Sequence, residues 1–195
     1  MHPITIVIPT CARGALLART LDSISAAEIA PPVHRLVVVE NGERGTAEQV
    51  VRSFSDRLPI AYEHVPTPNK SRALNHVLYS TGDELMIFLD DDIQVHPKTF
   101  RAYASAAANC VSGFWGGKCC VDYEEEPPEW LKQYLPPSAK GWSMGDEPCA
   151  LDRPLALGFN WAAFTRELRE ACGFDETLSA SSLPAVHFTA SVALI

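Results

Sequence analysis

Residues Leu85 to Asp92 read Leu-Met-Ile-Phe-Leu-Asp-Asp-Asp, an apolar run that ends abruptly in three carboxylates. Three like charges in a row repel one another, so they need a compensating cation or full solvation. Oxygen ligands of this kind suit a hard divalent metal such as Mg²⁺ or Mn²⁺. A solvated acidic turn is the plainer alternative. The apolar run favours the metal, because it fits a strand buried on both faces, as in a parallel sheet. The carboxylates then emerge at the C-terminal edge, where open α/β sheets place their ligands.

The elements that must hold this edge are legible around it. Ile4 to Ile8 is β-branched and reads as a first strand, ended by Pro9-Thr10. Ala15 to Ala27 has apolar residues at Leu16, Leu17, Leu21 and Ile24, a helical spacing. Leu36 to Val39 is a second buried strand that ends in Glu40-Asn41-Gly42, and Thr46 to Phe54 reads as a helix. Ile60 to Val65 suggests a third strand. After the break at Pro66 to Pro68, Asn69 is placed to cap a helix running to about Tyr79. Pro97 suits the first turn of a further helix, Thr99 to Ala108. Strands that alternate with helices imply a parallel, doubly wound α/β sheet. From Gly113 onward the chain becomes rich in glycine, proline and aromatic residues, and an irregular segment extends to near Leu155. The expectation is a single domain over 1–195, divided into a binding half (1–112), a second half (113–178) and an atypical tail (179–195).

Bulk properties narrow the partners. The chain has 195 residues, 47% hydrophobic and 21% charged, enough for one substantial core. A net charge of −8 argues against a general nucleic-acid surface. It leaves room for a nucleotide, since a bound metal offsets local negative charge. No apolar run approaches the ~20 residues of a membrane span. The N-terminus lacks a basic region and enters a strand-like run at once, unlike a signal peptide. The six cysteines contain no Cys-x-x-Cys pair, so zinc is not expected, and most read as buried thiols in a reducing cytosol. A cytoplasmic chain, with or without contact at the inner membrane face, fits these features.

Taken together, the segments resemble a family 2 glycosyltransferase with the GT-A fold. Ile6-Val7-Ile8-Pro9-Thr10 is similar to that family's first strand and nucleotide loop. Val38-Val39-Glu40-Asn41-Gly42 resembles the acidic turn of its second strand, and Asn69-Lys70-Ser71-Arg72-Ala73-Leu74-Asn75 the helix start after the third. Asp90-Asp91-Asp92 matches its metal-binding Asp-x-Asp. Leu157 to Phe164 and Gly173 to Leu178 resemble its acceptor-side segments. The resemblance covers about residues 4–178. It implies a GT-A-like, Rossmann-related, mostly parallel sheet flanked by helices, with an irregular acceptor-side second half.

The resemblance also implies roles. Asp92 is the expected direct metal ligand, with Asp90 reaching the metal or the ribose and Asp91 supporting either. A metal held there stabilises the departing nucleoside diphosphate as a Lewis acid. Thr10 and Asn41 sit where the family contacts the base, and an Asn amide offers a pyrimidine edge both donor and acceptor. As ends of predicted parallel strands, both are expected on the triplet's sheet edge, within about 15 Å of Asp92. Glu40 is placed for ribose hydroxyls or for turn solvation. Lys70 and Arg72 stand near a helix start, where cations and backbone donors favour phosphate, or are surface residues. Asn75 reads as a brace for the loop. The implied donor is a nucleotide-sugar, with UDP favoured, and the acceptor a glycan, a lipid-linked or another hydroxyl compound. Trp115, Trp130, Trp142 and Trp161 can stack on sugars, but core packing is the expectation for each. His96 lies near the triplet, where helix entry is its expected role.

The tail departs from the family pattern. Residues 177–195 contain no Asp, Glu, Lys or Arg, whereas family members carry an acidic general base downstream of a segment like Gly173 to Leu178. The expectation is therefore a truncated or divergent form. It either transfers a sugar with inversion or binds the donor without transferring it. Asp175, Glu176 and His187 are candidate bases, and none is assigned. A phosphatase of the haloacid dehalogenase type also sets Asp-x-Asp at a strand end, but expects Thr or Val where Gln94 stands.

Overall fold

The apolar runs of the first half form strands and the segments of helical period form helices, in a computed structural model that describes residues 2–29, 33–121, 123, 125–135, 139–141, 143, 145, 149–151, 158–177 and 192–194. Strands β1 (Ile4–Thr10), β2 (Val33–Asn41), β3 (Ile60–Val65) and β4 (Leu85–Leu89) alternate with helices α1 (Gly14–Ser25), α2 (Ala47–Phe54) and α3 (Lys70–Ser80). Helix α4 (Thr99–Ala107) follows. Beyond it lie β5 (Phe114–Gly116), the short α5 (Glu129–Lys132), β6 (Cys149–Leu151), β7 (Asn160–Phe164), α6 (Thr165–Glu170) and β8 (Val192–Leu194).

The strand order is β3-β2-β1-β4-β7-β5-β8-β6. The first four strands are mutually parallel. Each is joined to the next by a helix because parallel neighbours need a crossover. In the parallel nucleus the side chains alternate between two buried faces. Ile4, Ile6, Ile8, Leu36, Val38, Leu85, Ile87 and Leu89 pack on one side with Leu17, Leu21 and Phe100. Val7, Val37, Val39, Met86 and Phe88 pack on the other with Ala73, Leu74, Val77 and Leu78 of α3. This is why these strands read as continuous apolar runs rather than as alternating ones.

The second half is more regular than its sequence suggests. β7 lies directly beside β4, antiparallel, with Leu89 opposite Asn160 and Leu85 opposite Phe164. β5 then pairs antiparallel with β7. The stretch resembling an acceptor-side segment is thus a central strand, with Ala162 and Ala163 fully buried. The intervening segment is irregular, as expected, and carries the short α5 and β6.

Two smaller expectations change. None of the six cysteines is buried: Cys11, Cys120 and Cys172 are exposed, and Cys110, Cys119 and Cys149 are intermediate. Most lie in loops or just past helix ends, where no packed layer covers them. Trp115 and Trp161 are core residues, but Trp130 is 66% exposed on α5. Trp142 lies outside the described residues. Among the described residues, no helix is long and apolar enough to cross a membrane.

Candidate functional site

Parallel pairing brings the C-terminal ends of β1, β2 and β4 to one edge of the sheet. Thr10 pairs with Glu40 across β1 and β2. Beyond the strand ends, Thr10 Oγ1 donates to Asp91 Oδ2 at 2.5 Å. Asn41 Nδ2 donates to the Thr10 carbonyl at 2.9 Å. The two residues expected at the nucleoside loop therefore form one hydrogen-bonded chain with the acidic triplet. Lys70, the first residue of α3, reaches the same cluster, its Nζ 2.5 Å from Asp90 Oδ1.

The three carboxylates have different environments. Asp91 is buried, and burial raises its carboxyl above the ordinary carboxylate range. The Thr10 hydrogen bond and the Arg13 guanidinium oppose that rise, while Asp92 and Asp90 add to it. Asp90 and Asp92 face outward, with side chains 29% and 43% exposed, so they are the members open to a ligand. The repulsion expected of the triplet is offset by two cations of the chain itself. One is Lys70. The other is Arg13, whose Nη1 lies 3.1 Å from Asp92 Oδ2 and 3.4 Å from Asp91 Oδ1. The sequence reading does not single out Arg13. Its available signal is its place in the loop that leaves the first strand at this edge.

The remaining expected residues are placed as follows. Glu40 has no exposed surface. Its carboxylate accepts from the Tyr62 hydroxyl at 2.6 Å and from the Gly45 backbone N–H at 3.0 Å. Neither turn solvation nor an open ribose contact describes it as it stands. Arg72 is engaged elsewhere: its Nε donates to Glu176 Oε2 at 2.8 Å and its Nη1 to Thr67 Oγ1 at 3.1 Å. Asn75 is a brace. Its amide donates to the Phe174 carbonyl at 2.8 Å and to Glu176 Oε1 at 3.0 Å, and its Oδ1 accepts from Phe174 N–H at 2.8 Å. Gly173 permits this close approach. It has φ +73°, and a Cβ there would sit 2.5 Å from Asn75 Oδ1. His96 Nδ1 accepts from Lys98 N–H at the entry to α4. His187 lies outside the described residues.

Neither candidate base among the described residues is poised as one. Glu176 is held below the usual carboxylate range, first by Asn75 and then by Arg72. Asp175 is lowered by hydrogen bonds from the Thr177 hydroxyl and N–H. A proton acceptor works best when its pKa lies near the operating pH.

Among the described residues, no group of three or more His, Cys, Asp or Glu side chains is arranged to hold a metal ion. The donor chemistry nevertheless fits a divalent cation completed by phosphate. Asp90 and Asp92 offer partly exposed carboxylate oxygens, and Lys70 and Arg13 already show that cations are bound there. Mg²⁺-type sites commonly use one or two carboxylates plus substrate phosphates and water.

The family model described as Glycosyl transferase family 2 matches residues 5–165. Validoxylamine A glucosyltransferase of Streptomyces hygroscopicus subsp. limoneus is 30% identical over 158 residues, covering 78% of this chain. The chain spans 35% of that relative's length. S. aureus TarS 1-349, solved in complex with UDP-GlcNAc, superposes with a TM-score of 0.71 at 16% identity, covering 99% of this chain and 56% of that one. The mannosyltransferase PcManGT from Pyrobaculum calidifontis, solved with GDP-Man and Mn²⁺, gives a TM-score of 0.63 at 19% identity over 100% of this chain and 56% of that one.

Proposed function

The chain belongs to glycosyl transferase family 2, and from that premise we propose that it binds a nucleotide-sugar with a divalent metal and transfers the sugar to a hydroxyl acceptor. The observation that carries this reading is the convergence of Thr10, Asn41, Lys70 and Asp90 to Asp92, from four separate segments, on one sheet edge. Neighbours of similar fold bind UDP-GlcNAc in one case and GDP-Man with Mn²⁺ in another. UDP is our preferred nucleotide and Mn²⁺ or Mg²⁺ our preferred metal.

In this reading Asp92 and Asp90 hold the metal. When bound, the metal neutralises charge on the leaving diphosphate. Thr10 and Asn41 line the nucleoside side, Asn41 fixed by its bond to the Thr10 carbonyl. Asp91 orients the cluster through Thr10, and Lys70 sits beside Asp90 to meet phosphate. Arg72 and Glu40 act as supports of α3 and β2 rather than as donor contacts, since both side chains are already engaged. The acceptor oxygen attacks the anomeric carbon, the bond to the diphosphate breaks, and the configuration inverts. The acceptor proton goes to a base we do not assign. The hydrogen bonds on Asp175 and Glu176 leave neither of them poised as that base.

Calorimetry with UDP and with GDP, each with and without Mn²⁺, tests the reading. Metal-dependent binding of one nucleotide, weakened at least about tenfold by Asp92→Ala, is the expected result. Binding unaffected by metal and by Asp92→Ala sinks the assignment. Product analysis with a panel of nucleotide-sugars and hydroxyl acceptors then separates transfer from binding alone. A positioned base supplies ~10²–10⁴-fold.

A further inference from the structure

The role of Arg13 rests on the donor-site reading above. A single guanidinium nitrogen bridges Asp91 Oδ1 and Asp92 Oδ2 at 3.4 and 3.1 Å. Among the described residues it is the one cation paired with Asp92, the carboxylate most open to a metal. The pair differs from Lys70–Asp90, which is shorter at 2.5 Å and less exposed. Arg13 is 54% exposed, and among the described residues its tip is held by these two contacts. The chain arrives at it through Ala12, a non-glycine residue at φ 54°. That left-handed conformation is costly for a side chain with Cβ, and such outliers gather at ligand clamps and switches.

We propose that Arg13 is a built-in counter-cation: it occupies the Asp91–Asp92 oxygens while the donor is absent, and the divalent metal must displace it to bind. A guanidinium and a metal dication compete for the Asp92 carboxylate, because like charges a few ångströms apart repel each other. The swap is feasible because the pair being broken is exposed on the Arg13 side, and exposed ion pairs hold weakly. Arg13 thus offsets the charge of Asp91 and Asp92, as Lys70 does that of Asp90, while no metal is bound. It also lowers the affinity for a metal that arrives without nucleotide.

The test is Mn²⁺ binding followed by electron paramagnetic resonance at fixed ionic strength, without nucleotide, on the wild type and Arg13→Gln. Circular dichroism confirms that the variant is folded. Arg13→Gln is expected to bind Mn²⁺ about tenfold more tightly than the wild type. Free guanidinium added to the variant should weaken Mn²⁺ binding again, and sodium at the same concentration should not. Equal or weaker Mn²⁺ binding by Arg13→Gln overturns the proposal, as does guanidinium acting no better than sodium. A parallel titration of the wild type with UDP and Mn²⁺ keeps the two readings apart. Failure there removes the donor site itself, whereas normal binding there with an unchanged Arg13→Gln removes only the role of Arg13.

Discussion

Glu40 shows how a charged residue at a strand end is satisfied inside the core. Its carboxylate is fully buried and depends on the Tyr62 hydroxyl and the Gly45 N–H. Burial, followed by the Glu40 bond, pushes the Tyr62 hydroxyl up to about 12, so it stays a donor across the neutral range. Tyr62→Phe leaves a buried carboxylate oxygen without its partner. The expected cost is about 1–3 kcal/mol, read as a lower urea midpoint with an unchanged slope. An unchanged midpoint would mean that Glu40 finds water or another donor. At this scale the position of the triplet, Thr10, Asn41 and Lys70 at strand ends and a helix start was legible, because each borders a strongly patterned element, while their roles came from the family resemblance. Arg13 and the Tyr62–Glu40 pair were not, because both depend on which loop or strand lies alongside.

Helix α3 links the sheet edge that carries the acidic triplet to the second half. Asn69 caps it, its Oδ1 accepting from the Arg72 N–H at 2.9 Å, while its Nδ2 donates to the Glu176 carbonyl at 2.8 Å. One side chain therefore starts the helix and ties down a distant turn. Asn69→Ala loses both, and the cap alone is worth about 1 kcal/mol. Asn69→Asp keeps the cap acceptor but loses the donor to Glu176. We expect Asn69→Asp to melt near the wild type while amides of residues 173–177 exchange faster, and Asn69→Ala to show both losses. Equal protection of that turn in all three proteins would refute the tether. The cap was visible in the sequence; its second hydrogen bond spans 107 positions and was not.

Across the whole molecule, the 173–177 turn is held to α3 by charge and hydrogen bonds that acid should release. Glu176 has its carboxyl lowered by Asn75 and Arg72. A lowered carboxylate contributes stability above its unfolded value of 4.5, and that stability is lost as pH falls through its folded pKa. Asp175 acts in the same direction. The turn also places Phe174 against Phe88 and Trp161, with ring centroids 5.5 and 6.0 Å apart. The indole N–H signal of Trp161 in NMR should therefore shift as the pH is lowered below about 4.5. Glu176→Gln should remove most of that acid transition. A transition unchanged in Glu176→Gln would assign it to other carboxylates.

The sequence by itself determined the parallel nucleus and the edge at which its chemistry gathers. Runs such as Leu36 to Val39 and Leu85 to Leu89 are apolar on both faces, and only a layer of helices on each side satisfies them. Parallel strands then bring Thr10, Asn41 and Asp90 to Asp92 to the same end, whatever the detail of the loops. Tertiary structure alone decided the rest. β5, β6 and β8 are three residues long, too short to show a period, and β7 takes its place beside β4 through a register fixed by backbone pairing. The same holds for the division of labour within the triplet. Three identical carboxylates follow one another in the chain, and only their surroundings bury Asp91 against Thr10, pair Asp90 with Lys70 and leave Asp92 facing Arg13 at the surface.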